Sequence, residues 1–398
     1  MESRYVVCRC PVRLTPSCRS SVEYLGDQMD FRALNRRELM KSFALGVAGS
    51  LTGGKALAND NEVSFVDLAG TEHILDAPAT RIVDLVVLSA FVIAAHGNPD
   101  RLIAVHPRNR DEFERGFLHR IFPRVLDIDT SIIVGSDFNP NVEAVANHAP
   151  DVVLQWGDMG NDLFRPLENA GLRVAKYQEV REGADETIER LLLMLGAIIG
   201  DTSRAERLIA YRRSVDDRLR TLTERLEPEA RPSALILTIA GNSFYASGGG
   251  AEGTYSFYLY RAGGLNAAAD LPNFAQVSAE QIAAMEPDCI FLFNVPGVSP
   301  LNILEHPILG LTAAALSGRV YLMPTGSHHW GSVGPEDPLT SLWMAELLHP
   351  DRSDWNLRNE LAFAYRSMFG QAFSNDDLDE VLHIAVNHNS AEYGRFLP

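Results

Sequence analysis

Residues 141–154 read NVEAVANHAPDVVL, and residues 278–291 read SAEQIAAMEPDCIF. In each, a Glu opens an apolar helical turn and Pro-Asp arrives seven and eight residues later, so that Glu143 leads to Pro150-Asp151 and Glu280 to Pro287-Asp288. A proline pushes the residue before it out of the α region, which ends the helix. Each Pro-Asp then runs into a short apolar segment of strand type. The repeated text predicts one helix–strand unit built twice, once in each of two α/β halves.

The surrounding sequence supports that division. Before the first unit, VSFVDLAGTEHILDAPATRIVDL (63–85) alternates in strand fashion, FVIAAHG (91–97) reads as a helix closed by glycine, and DRLIAVHPR (100–108) as a strand. After it, DVVLQW (151–156) and GLRVAKY (171–177) are strands separated by the helical LFRPLENA. Strand alternating with helix is the signature of parallel α/β structure. Two helices follow, 185–200 and 203–228, the second with a capping-box pattern at Ser203 and Glu206. In that second helix Ala205, Leu208, Val215, Leu219, Leu222 and Leu226 share one face, and a polar opposite face predicts a surface helix that bridges two lobes. From Pro232 the alternation resumes with SALILTIAG, the helical TYSFYLYRAGG, DCIFLFN and RVYLMP, and ends in helices. The expected organisation is an export segment over 1–58, an N-terminal α/β lobe over 59–184 and a helical linker over 185–228. A C-terminal α/β lobe with a helical end follows over 229–384, and a polar tail expected to fray occupies 385–398. The fold class is α/β, two doubly wound lobes bridged by a long helix with the ligand cleft between them.

The first sixty residues have a different character. Arg36-Arg37 precede a weakly apolar stretch that carries glycine at 46, 49, 53 and 54, and Ala56-Leu57-Ala58 supplies small residues for cleavage. This is the layout of an export signal cleaved near Ala58, of twin-arginine type, with Met29 as its expected start. The chain of 398 residues has a formal net charge of −17. Residues 1–58 hold nine Lys+Arg and five Asp+Glu, so the remainder is more acidic still. Such a surface excludes nucleic acid and anionic lipid as partners and favours a basic docking surface. Cys8, Cys10 and Cys18 fall in the export region, which leaves Cys289 alone in an apolar strand, with no partner for an internal disulfide. No apolar run approaches the roughly 18 residues that span a bilayer, so an integral membrane protein is not expected.

Taken together, these features resemble the substrate-binding proteins of ABC importers for iron–siderophore complexes, haem and cobalamin, a group with a single rigid helix between two lobes. The resemblance runs from about Val63 to Pro350. DLAGTEHILDAPATRIV (67–83), the two repeated units, YRAGGLNAAAD (260–270) and PLTSLWMAELLHP (338–350) carry it. It implies a periplasmic, monomeric, non-enzymatic protein that delivers a small-molecule metal complex, an iron chelate first among these, to importer membrane subunits. It also implies that Glu143 and Glu280 dock onto arginines of those subunits. A carboxylate on each lobe accepting an Arg fork fixes orientation as well as affinity. Haem, cobalamin and molybdate-type oxyanions stand as alternative cargoes.

In such a protein the ligand belongs outside the carboxyl ends of strands. Residues just after the predicted strands are therefore the candidates for binding: Ser89, His106, Arg108, Trp156, Met159, Tyr245, Asn294, His328, His329 and Trp330, with Asp158 beside them. Histidine can coordinate a metal or hydrogen-bond a chelate, and Trp or Tyr can stack on an aromatic chelator. Adjacent imidazoles point different ways on an extended backbone, so one of His328 and His329 at most is expected to face a ligand. Arg108, Arg165 and Arg261 could neutralise an anionic chelate. SGGGAEG (247–253) lacks the lysine and Ser/Thr of a phosphate loop. No H-E-x-x-H, G-x-S-x-G or Cys/His zinc framework is present, so neither a catalytic residue nor an intrinsic cofactor or protein-held metal is expected. The rival reading is an exported metal-dependent enzyme using His328 or His329 with Asp158 or another carboxylate.

Overall fold

The computed structural model describes residues 61–134, 138–250, 254–353 and 355–398, and the export segment with Arg36, Arg37 and Ala58 lies outside them. The described chain opens with an antiparallel ribbon of β1 (Val63–Val66) and β2 (Glu72–Leu75). A parallel sheet follows, made of β3 (Ile82–Asp84), β4 (Leu102–Val105), β5 (Val152–Trp156) and β6 (Val174–Tyr177) in the order β4-β3-β5-β6. Two helices, Ala184–Ile199 and Ser203–Thr223, lead to a second sheet. Its strands are β7 (Ser233–Ala240), β8 (Ser243–Ala246), β9 (Leu265–Asn266), β10 (Ala275–Val277), β11 (Cys289–Leu292) and β12 (Val320–Leu322), ordered β10-β8-β7-β11-β12 with β9 beside β7. Here β9, β11 and β12 run parallel to the β7 direction, while β8 and β10 form an antiparallel margin.

Period-two alternation decides where the core lies. Ile82, Val152 and Leu154 of the first sheet and Ala234, Ile236, Cys289 and Phe291 of the second enter one continuous apolar cluster. Their alternate neighbours face outward: Val83 and Val153 into a cluster on one side, Leu235, Leu237, Ile290 and Leu292 into a cluster on the other. Helices fill the space between the inner faces. The helix Ser203–Thr223 buries Ala205, Leu208, Val215, Leu219 and Leu222 there, the stripe expected from its sequence. At 1.5 Å per residue it is about 32 Å long. Its start differs from expectation, because the cap is Thr202, whose hydroxyl bonds Glu206, while Asp201 accepts from the Ser203 N–H.

The repeated unit is the same piece of architecture in both sheets. Each is a six-residue helix, Val142–Asn147 or Ala279–Ala284, capped at its start by Asn141 or Ser278. Each ends in a residue at positive φ, Ala149 at 43° or Glu286 at 48°, directly before the proline. The Asp that follows reaches across to the start of the neighbouring parallel strand. Asp151 accepts from Thr80 N (2.7 Å) and Arg81 N (2.9 Å) beside β3, and Asp288 accepts from Ser233 N (2.8 Å) at β7. Pro stops the helix, and Asp ties the strand it opens to the strand beside it.

Two expectations are corrected. Tyr245, expected in a loop after a strand, lies within β8, opposite Thr238 and Gln276. Gly241-Asn242, with Gly241 at φ 57°, turns the chain back as a hairpin. The C-terminal tail does not fray. Tyr393 and Phe396 are each 1 % exposed, Asn387 bonds both backbone groups of Leu322, and Ser390 donates to Val320 O. The tail thus satisfies the outer edge of β12, which would otherwise be open to pairing with another chain.

Replacing Asp151 with Ala removes two backbone acceptor contacts and should destabilise the fold by about 1–3 kcal/mol. Asp288→Ala removes one and should cost roughly half of that. Urea denaturation of both variants checks the ranking; a milder effect for Asp151→Ala than for Asp288→Ala contradicts the strand-tying role.

Candidate ligand cleft

A cavity of about 810 Å³ opens at the carboxyl ends of strands in the first sheet and is closed from the second. Trp156 ends β5 and Tyr177 ends β6, and both line it, with Asp158, Glu179, Arg181 and Glu182 on the loops beyond. Gly183, Ala184, Thr187 and Ile188 contribute the first turn of the helix Ala184–Ile199. From the second half come Phe257 and Tyr258 of the helix Thr254–Arg261, together with Val333 and Asp337. Two other hollows, of about 640 and 680 Å³, do not join the two sheets: one lies between the bridging helix and residues 351–355, the other beside the β1–β2 ribbon.

One wall is aromatic. His106 packs on Phe138 at 4.8 Å between ring centres, Phe138 on Trp156 at 5.6 Å, and Trp156 on Tyr177 at 5.1 Å. The row follows the strand ends, since His106 comes directly after β4. Arg108 lies over Phe138 at 5.1 Å.

The floor is an ion network anchored on the bridging helix. Arg212 is 3 % exposed and reaches Asp185 at 3.3 Å and Asp337 at 3.7 Å. Arg261 meets the same Asp185 and also Asp216. Tyr258 donates its hydroxyl to Asp337 (2.6 Å), as does the Gly334 N–H (3.0 Å). Burial pushes the Asp337 carboxyl up to about 6, against the pull of Arg212 and these hydrogen bonds. Unpaired, either buried charge would be costly; paired, they orient the start of the helix Asp337–Leu348 against the cleft.

Of the residues selected from sequence, Trp156 and Asp158 line the cavity, while His106 is buried and does not line it, packing on Phe138 behind Trp156. Met159 is exposed beyond it. Ser89 is fully buried, donating to the Asp84 carboxylate (2.6 Å), which also accepts from Val86 N, Leu88 N and Asn109. Trp330 is buried with its indole N–H on Glu336 (2.7 Å). Asn294 donates to Thr325 Oγ1 (2.7 Å) and His383 Nε2 (3.1 Å). These three hold loops in place. Arg261 is spent in its ion pairs and Arg165 lies exposed on the helix Asn161–Asn169, so neither is available to neutralise an anion in the cleft. His328 and His329, expected to diverge, instead converge: the Nδ1 atom of each lies 2.9 Å from Glu112 Oε2. Tyr177, Phe138, Phe257, Tyr258 and Asp337 were not selected. Tyr177 obeys the same strand-end rule as Trp156, and the helix TYSFYLYR carries more aromatics than one buried stripe requires.

A family model described as "Periplasmic binding protein" matches residues 92–325. Among solved structures, a periplasmic solute binding protein from Veillonella parvula is 25 % identical, with a TM-score of 0.75 over 82 % of this chain and 99 % of its own. The Haemophilus influenzae protein MolA bound to molybdate shares 17 % identity and a TM-score of 0.67 over 78 % of this chain and 99 % of its own. A Ni-His complex of Helicobacter pylori CeuE shares 19 % identity and a TM-score of 0.62 over 81 % and 99 %. At those lower identities the likeness is one of fold. No curated protein matches the chain significantly by sequence.

Burial, which disfavours the charged ring, pushes His383 down to about 4 from an ordinary 6.5. A folded value below the unfolded one means that this contribution is complete above about pH 6.5 and is lost as pH falls toward 4. The loss should reach roughly 3 kcal/mol. Urea denaturation from pH 7 to 4 should show a shallower decline for His383→Gln than for the wild type, and parallel profiles would exclude the assignment.

Proposed function

The chain belongs to the periplasmic binding protein family, and we propose that it captures a metal chelate in the 810 Å³ cleft and delivers it to the membrane subunits of an ABC importer. The family's role is transport, and its name implies the periplasm. Among the described residues no helix is long and apolar enough to cross a membrane. Export through the segment ending near Ala58, and action as a monomer, are part of this reading.

The observation that carries it is the cleft lining. Trp156, Tyr177, Phe257 and Tyr258 supply flat apolar surface, and, with Asp337 paired to Arg212, Asp158, Glu179 and Glu182 still outnumber Arg181. Aromatic walls suit a large, partly apolar organic ligand. The acidic excess favours a neutral or cationic complex, such as a ferric hydroxamate, over a strongly anionic catecholate or an oxyanion such as molybdate. An iron–siderophore complex thus stays the leading cargo, with its charge now constrained. Haem and cobalamin fit the same walls less specifically. The rival reading of a metal-dependent enzyme pairs the histidines with Asp158 or another carboxylate; the carboxylate they meet is Glu112, and the family's role in transport favours the binding protein.

Delivery is assigned to Glu143 and Glu280. Both are exposed in the first turn of the two equivalent short helices, one on each sheet. The Glu280 carboxyl is held below its usual range by its own backbone N–H and by Ser278, so it stays charged for an arginine.

Protein purified from native periplasm should carry a broad visible charge-transfer band with stoichiometric iron; a Soret or corrin spectrum replaces the siderophore with haem or cobalamin. Trp156→Ala should weaken binding of that complex by about tenfold. Glu143→Arg combined with Glu280→Arg should abolish uptake and leave ligand affinity intact. Normal uptake by this double variant would falsify the docking assignment.

A further inference from the structure

The convergence of His328 and His329 on Glu112 is unexplained by ligand capture in the cleft, because none of the three lines it. Glu112 stands on the helix Pro107–Arg115, which follows β4 of the first sheet, and the histidines sit on the loop after β12 of the second. One donor atom from each of the three lies within 4.8 Å of the others. The imidazole planes cross at 79° with centres 4.3 Å apart, so both rings present Nδ1 to one point. The side chains are 13 %, 12 % and 28 % exposed for Glu112, His328 and His329, sheltered but reachable.

The loop is held before any ligand arrives. Glu336 accepts from Ser327 N and the Trp330 indole, Gly326 N bonds His328 O, and Phe117 N bonds Gly326 O across the seam between the halves. A Cβ at Gly326 would run into the Glu336 carboxylate. Ser332 Oγ lies 2.6 Å from His329 Nε2. A hydroxyl can donate to that nitrogen or accept from it, so it supports His329 in either tautomer, including the one that leaves Nδ1 free to bind a cation.

We propose that Glu112, His328 and His329 form a binding site for a bare divalent transition-metal ion, which pins the helix Pro107–Arg115 to the loop after β12. Two imidazoles and one carboxylate select borderline ions of the zinc and cobalt type over magnesium or calcium, and leave further positions for water. Metal–ligand bonds of about 2.0–2.2 Å place tetrahedral donors about 3.4 Å apart, so the 2.9 Å separations must widen by about half an ångström. In the metal-bound form each ring is the neutral Nε2–H tautomer: a proton on Nδ1 of a neutral ring is replaced by one on Nε2 through solvent exchange, and the extra proton of an imidazolium is released to water. The neutral His329 then carries its remaining proton on Nε2, donating to Ser332.

The test is titration of the chelator-stripped full protein with Co2+ alone. One equivalent should bring up d–d absorption of a low-symmetry nitrogen–oxygen site and raise the thermal midpoint by roughly 5 °C at saturation. Mg2+ should do neither. His328→Gln with His329→Gln should abolish the absorption, and Ser332→Ala, which keeps all three donors, should weaken Co2+ binding by about tenfold or more. The circular dichroism of each metal-free variant reports whether it has folded. An absent spectrum in the wild type, or an identical one in the folded double histidine variant, overturns the site. Neither result bears on chelate capture, which is read from the cleft by Trp156→Ala.

Discussion

The structure depends on one packing constraint: the inner faces of two separate sheets share a single apolar core. A strand must offer alternate side chains to opposite faces, so Phe291 of the second sheet and Leu154 of the first both need cover on the inside while Ile290 and Val153 need it on the outside. The inside cover is common property. The helix Ser203–Thr223 supplies it with Leu208, Val215 and Leu219, and its Arg212 carries the same connection in charge, hydrogen-bonding Asp185 and ion-pairing with Asp337 at 3.7 Å. The two halves are therefore joined through packed side chains as well as by a stretch of chain, and interiors at crystal-like density resist being slid or opened.

The repeated helix–Pro–Asp–strand unit makes that arrangement possible from short local signals. The positive φ at Ala149 and Glu286 is strained for residues with a Cβ, and the cost is met because the proline places an Asp where it captures backbone donors of the adjoining strand. The strand pairings Ile82 with Val152 and Ala234 with Cys289 start beside those carboxylates. A parallel pair lacks a tight turn to set its register, so a side chain that fixes the first residue of one strand against the other replaces the hairpin that an antiparallel pair would use. Glu143 and Glu280 sit about two turns before the Pro-Asp, which is why they occupy matching positions on the two sheets.

How far the sequence disclosed the rest follows from the range of the interactions involved. The parallel strands, the bridging stripe and the twin units rest on spacings within about twenty residues, and these were legible. Gly241-Asn242 is an equally local signal for a hairpin, since glycine takes the positive φ at no cost, and it sets Tyr245 inside a strand rather than in a loop after one. The burial of Tyr393 and Phe396 was not legible, since a polar stretch such as NHNSAEYG gives no sign that Asn387 and Ser390 will satisfy an edge strand some seventy residues earlier. In the cleft, the strand-end rule located Trp156 but treated position as orientation. Ser89 and Asn294 follow strands as expected and yet turn toward buried partners, because Asp84 and His383 hold them. Asp84 lies only five residues before Ser89, but the partner of Asn294 is 89 residues away and the meeting of His328 and His329 is settled by a glutamate more than two hundred residues upstream.

These features bear on how such a molecule recognises its cargo. With the sheets sharing a core, closing around a ligand requires disturbing that core, whereas moving loops at the strand ends does not. On the reading proposed above, discrimination falls to the shape and charge of the cleft as built, to Trp156 and Tyr177 and the acidic groups around them, rather than to a large change in angle. The same stiffness holds Glu143 and Glu280 at a nearly fixed separation whether or not the cleft is filled. A transporter engaging both would read ligand occupancy through subtler differences, in the loops that line the cleft. The segment from Thr325 to Asp337 is well placed for that role, because Val333 and Asp337 line the cleft while His328 and His329 meet Glu112 across the seam. Tyr258 ties the middle of this segment to its end, its hydroxyl lying 3.1 Å from Ser332 O and 2.6 Å from Asp337. A displacement of the cleft wall would thereby reach a place where the halves touch through ionisable side chains, Glu112 with His328 and His329.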